Sequence, residues 1–141
     1  MTQFADHARI TVTAKSWEET RVAEVDAVHA VAQARFTTTW AGDLQGESTC
    51  SLLLAYYDGD PERPETLVGP YVGYEQVTGT LAGRTGTFVL EARGEHRDGL
   101  ARTDVAVVRG SGTGQLSGLR GEGSYAATAM EYTLTLDYDL E

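Results

Sequence analysis

At 141 residues and 41% hydrophobic content, the chain is long enough to enclose one sizeable core and too apolar for wholesale disorder. Its net charge of −10, from 21 acidic against 11 basic residues, argues against nucleic acid and against an anionic membrane surface as partners, because both need clustered Lys and Arg. The single cysteine, Cys50, excludes an intrachain disulfide.

The N-terminal "MTQFADHARITV" lacks the basic and apolar regions of a signal peptide, and no apolar run approaches the ~18 residues of a membrane span. A cytoplasmic protein is expected. "RITVTAKSW" (9–17) then alternates, with Ile10, Val12 and Ala14 on one face, as a half-buried strand does. Residues 18–33 are ambiguous. Val22, Val25, Val28 and Val31 recur every three residues, as in a short helix, whereas Val28, Ala30, Ala32, Ala34 and Phe36 alternate as in a strand. The favoured expectation is a mobile loop over 18–27, followed by strand. "ARFTTTWAG" (34–42) groups Phe36, Thr38 and Trp40. "ESTCSLLLAYY" (47–57) becomes apolar throughout, as a strand covered on both faces would. "DGDPERPET" (58–66) is the one loop rich in Pro and charge, suited to flank a cavity mouth. Strand patterns follow at 71–79, 86–95, 100–108 and 130–140, with a weaker one at 121–129.

Between these patterns lies a repeat. "GTLAGRTG" (79–86) and "GQLSGLRG" (114–121) share the frame Gly-x-Leu-x-Gly-x-x-Gly, and "GDLQGES" (42–48) keeps its first three fixed positions. The units start 37 and 35 residues apart, a period that marks one structural unit repeated. A phosphate-binding glycine loop must open a helix, whose N-terminal amides hold the anion. Here each unit is followed by another strand pattern, so the glycines are turn residues and the leucines point inward. The same holds for "GSGTG" (110–114). Seven or eight strands joined by hairpins make a single all-β, antiparallel domain over 1–141. Closure into a barrel would remove its exposed edges.

"FTTTWAGDLQGES", "YVGYEQVTGTLAGRTGTFVLEARG", "VVRGSGTGQLSGLRGEG" and "YTLTLDYDL" together resemble the bacterial domain of unknown function 3224, in order over most of 9–140. A looser likeness of the glycine block extends to allene oxide cyclases and plant dirigent proteins. The resemblance implies an allene oxide cyclase-like closed barrel of eight antiparallel strands around a central cavity. It also leads one to expect a His at Ala92, a Trp near Val105 and a Pro at Arg109, where this chain departs from the pattern.

No metal-ligand spacing and no cofactor motif is present; His7, His29 and His96 are isolated, and no Gly-x-Ser-x-Gly elbow occurs. What remains for chemistry are polar groups on apolar faces. A carboxylate inside a barrel is desolvated, which raises its pKa toward the range of a general acid or base. Glu75, beside Gly73 and Val77, is the first candidate, and Glu47 the second. Tyr138 shares a face with Tyr132, Leu134 and Leu136 and could offer a phenol. Trp40, Phe36, Tyr57, Phe88, Leu90, Tyr132 and Leu136 are the candidate substrate-lining residues. The expected function is a cofactor-independent cyclase or isomerase acting on an apolar, oxygenated small molecule. The alternatives are a non-catalytic carrier of a hydrophobic metabolite and a solidly filled interaction module. A strand face exposed outside the barrel, such as that of the Thr/Trp-rich "FTTTWAG", could form an oligomer interface, and a homodimer or higher homo-oligomer is expected.

Overall fold

The computed structural model describes residues 4–140. It is a β-meander. The strands are β1 (Asp6–Glu24), β2 (Ala30–Gly42), β3 (Leu44–Tyr56), β4 (Gly69–Leu81), β5 (Arg84–Arg97), β6 (Leu100–Val107), β7 (Thr113–Gly114), β8 (Arg120–Ala127) and β9 (Glu131–Asp139). All pairings are antiparallel, and each long strand pairs with its neighbours in sequence. The last strand then closes on the first, from Asp6↔Tyr138 to Thr13↔Glu131. The result is an up-and-down closed barrel of eight strands, with the two-residue β7 paired to β5.

Alternation decides which side chains fill it. On β2 the residues Ala30, Ala32, Ala34, Phe36, Thr38 and Trp40 point in, and on β3 the even positions from Leu44 to Tyr56 do so. The other face of β3 is not covered: Leu53 is half exposed, beside Val72 of β4. The expectation of a strand buried on both faces is therefore corrected. On the "FTTTWAG" strand Phe36 and Trp40 turn inward, so its outer face carries Thr37 and Thr39 and no Trp.

Residues 18–24, expected as loop, are strand. β1 pairs with β2 up to Glu24↔Ala30, and only 25–29 form the turn. Asp26 closes that turn by accepting hydrogen bonds from the Val28 and His29 amides at 2.9 and 2.7 Å. These amides and the His29 ring hold its carboxyl down at about 2. A register shift interrupts β1 between Lys15 and Glu18, with Ser16 at φ 57°. Before this bulge even residues point inward; after it the odd ones, Trp17, Glu19 and Arg21, do so until a second shift between Arg21 and Ala23.

The connections β2–β3, β4–β5 and β6–β8 share one end of the barrel, and each carries one glycine–leucine unit. Leu44, Leu81 and Leu116 are fully buried there, joined by Leu119, Phe88 and Trp40. Each such side chain contributes about 1.5–3 kcal/mol on burial. The β4–β5 reversal turns on Ala82 and Gly83, at φ 51° and 77°, the positive pair that a tight hairpin needs. This end is plugged. The opposite end is not.

Candidate functional site

The open end holds a cavity of about 460 Å³, within the roughly 300–1,000 Å³ of small-molecule sites. Its walls come from every long strand, and the loop at 57–68 borders it through Pro64, Glu65 and Leu67. That loop is tied down. Asp58 bridges to Val68, Thr66 caps the turn at Arg63, and the Leu67 carbonyl meets His96 Nδ1 of β5 at 2.7 Å.

Six aromatic residues dominate the lining: Trp17, Phe36, Tyr56, Tyr71, Tyr125 and Tyr132. Phe36, Trp17, Tyr132 and Tyr125 lie on β2, β1, β9 and β8, four successive strands of the wall. Trp17 stacks on Phe36 at 4.7 Å, and Tyr125 on Tyr132 at 4.3 Å. The bulge at Ser16 brings Trp17 inside; it remains 44% exposed, at the mouth. Leu52, Leu54 and Ala101 complete the apolar surface.

The polar groups are few and engaged. The Tyr56 hydroxyl donates to Glu19 Oε2 at 2.8 Å, and Trp17 Nε1 donates to Glu19 Oε1 at 3.2 Å. The Tyr71 and Thr103 hydroxyls are hydrogen-bonded at 2.6 Å. Gly94 makes that contact possible, because a Cβ there would lie 2.6 Å from the Tyr71 ring. Burial pushes the phenols of Tyr56, Tyr71, Tyr125 and Tyr132 up, so they stay neutral O–H groups at physiological pH.

Of the residues expected to form the site, Phe36 and Tyr132 line the cavity. Glu75 faces inward but sits outside the lining, 4% exposed, beside Cys50 of β3 and Leu90 of β5. Its Oε2 accepts from Ser48 Oγ at 2.5 Å, and Thr38 and Trp40 extend the network. Burial raises its pKa against the pull of these hydrogen bonds. Trp40, Phe88, Leu90, Leu136 and Tyr138 are interior residues of the filled half and do not line the cavity.

Two assignments are corrected. Glu47 faces outward near the start of β3, opposite Thr39 and Thr78, because its neighbour Ser48 points in. It borders an outer hollow with Lys15, Thr37 and Gln76. Tyr57 also lies outside, 45% exposed, with its hydroxyl accepting from Arg97 at 2.6 Å; Tyr56 takes the inward place. Tyr71 could have been found by parity with Gly73 and Glu75, whereas Tyr56 lies in "SLLLAYY", where both faces are apolar. Trp17 and Glu19 could not, since the bulge inverts their faces.

A model of the family described as "Protein of unknown function (DUF3224)" matches residues 8–138. The chain belongs to the DUF3224 family. A crystal structure at 1.84 Å of a DUF3224 protein with unknown function from Shewanella oneidensis MR-1 is similar, with 27% identity and a TM-score of 0.72. The match covers 96% of this chain and 98% of that one. No curated protein matches. In this DUF3224 barrel Ala92, where a His was expected, is an interior position paired with Gly73 and Val105. Among the described residues no group of three or more His, Cys, Asp or Glu is placed to hold a metal ion.

Proposed function

We propose that the barrel binds an apolar small molecule in the cavity at its open end. The observation that carries this reading is the asymmetry of the interior. Large side chains pack one half solidly, while the other half keeps about 460 Å³ lined by six aromatic residues. A few fixed polar groups in an apolar hollow are the usual composition of a small-molecule site. Binding without chemistry is the first reading, because the interior carboxylate Glu75 is engaged by Ser48 and stands apart from the lining.

A cofactor-independent cyclase or isomerase is the second reading, and the likeness of the glycine block to allene oxide cyclases favours it. Its protic groups would be the Tyr71–Thr103 pair and the Glu19–Tyr56 pair, with the cavity holding reacting atoms together and excluding water.

The test is a thermal-shift screen with apolar aromatic and polyene compounds on wild type and Ala127→Trp. Ala127 lines the cavity at partial exposure, so a Trp there fills the hollow without disturbing the packed half. Ligands that stabilise wild type and fail to stabilise Ala127→Trp support the reading; stabilisation of both equally contradicts it. For the second reading, a bound compound recovered as an isomer of the same mass, and recovered unchanged from Tyr71→Phe, would establish turnover.

A further inference from the structure

We propose that this cavity selects a cation: an apolar, ring-bearing or polyene molecule carrying an amine or quaternary ammonium group. The proposal rests on the cavity being a ligand site and adds the charge of the ligand. Glu19 supplies the first observation. Each of its carboxylate oxygens accepts a hydrogen bond from the aromatic wall, Oε1 from Trp17 and Oε2 from Tyr56. The negative charge is therefore held in place at the mouth beside aromatic rings. Glu65, on the turn Pro64–Thr66, brings a second carboxylate to the same cavity.

The second observation is the sign of what surrounds them. No Lys or Arg is among the lining residues. Arg21, two positions beyond Glu19, keeps its charge within reach of the Tyr56 hydroxyl but lies outside the lining, with Nη1 donating to the Ala27 carbonyl at 2.7 Å, and His96 is committed to Leu67. The third is the aromatic arc from Phe36 to Tyr125. Aromatic faces attract cations through their quadrupole, most of all where water is partly excluded. An anionic ligand such as a fatty acid would have its carboxylate desolvated near two others with no counter-ion among the lining residues, which is unfavourable. The net charge of −10 adds a long-range attraction for cations.

The test is calorimetric titration with three probes on one ring system: 9-(aminomethyl)anthracene, 9-anthracenemethanol and anthracene-9-carboxylate, against wild type and Glu19→Gln. Gln keeps an acceptor oxygen for Tyr56 or Trp17 while removing the charge. The ammonium probe is expected to bind wild type about tenfold more tightly than the alcohol, with the carboxylate weakest. In Glu19→Gln most of that preference is lost while alcohol binding is retained, which also reports an intact cavity. Equal binding of all three probes, tighter carboxylate binding, or a preference untouched by Glu19→Gln overturns charge selection and leaves the cavity reading standing. No binding of any probe overturns both.

Discussion

Trp40 Nε1 has only a hydrogen to give, so Thr38 Oγ1, 2.7 Å away, must accept. The single Ser48 hydroxyl hydrogen goes to Glu75, and the Thr38 hydrogen goes to Ser48 Oγ at 2.5 Å in preference to Glu75 Oε2 at 3.5 Å. The network thus runs one way, Trp40 to Thr38 to Ser48 to Glu75, and ends on the carboxylate. Among the described residues no buried side-chain nitrogen or oxygen lacks a partner. Replacing Glu75 by Leu orphans the Ser48 donor and should cost about 1–3 kcal/mol. The ionisation of Glu75 has its own signature. Burial raises its pKa in the native state above the ordinary 4.5. As pH climbs past 4.5 the unfolded chain releases a proton that the native state keeps, so this contribution to stability is full below 4.5 and declines toward the native-state value. Glu75→Gln should remove that decline: melting curves across pH 4–8 should show the variant gaining on wild type as pH rises. Parallel profiles would mean that burial does not control this carboxyl. The same surroundings push the Cys50 thiol up, by burial first and Glu75 second, which makes it an unreactive core group.

Among the elements, β1 decides the site. Ser16 sits in the left-handed region, and the register shift around it turns Trp17 and Glu19 into the mouth. Ser16→Gly should keep stability and ligand binding, whereas Ser16→Val should lose about 1–2 kcal/mol, because a β-branched residue resists positive φ. Chemical denaturation of both variants checks this; equal stability would mean that the bulge relaxes freely. The rest of the sheet was legible from alternation alone. Phe36, Thr38 and Trp40 on β2, and Tyr132, Leu134, Leu136 and Tyr138 on β9, face inward as their spacing dictates. The errors fall where alternation carries no contrast. In "SLLLAYY" both faces are apolar, so Tyr57 was as plausible an inward residue as Tyr56. Along 18–33 the valines at every third residue imitate a helix, but Val22 lies on β1, Val25 and Val28 in the turn and Val31 on β2, and the β1–β2 pairing sets that division. The position of the cavity along the barrel axis was illegible for a different reason: periodicity reports which face a residue takes, not which half of the lumen is filled.

Across the whole molecule, the glycine–leucine period equals a pair of strands with their turns. Any feature recurring at that period returns to the same end of a meander, so three copies place three leucines over one opening. The sequence repeat is thus the plug, and the end without it is the mouth. Closure depends on the first and last long strands meeting. A chain ending at Ala129 would lack β9 and leave β1 and β8 with open edges. Circular dichroism and size exclusion should show it unfolded or aggregated; a folded monomer would show that the β1–β9 seam is dispensable. The central claim, an apolar ligand in the open half, is tested most directly by following backbone amide resonances during titration with 9-anthracenemethanol. Binding in the cavity predicts shifts concentrated around Trp17, Phe36, Tyr56, Tyr71, Tyr125 and Tyr132, with Leu44, Leu81 and Leu116 unmoved. Shifts confined to outward residues such as Leu53, Val72 and Tyr74, or no shifts at all, would contradict it.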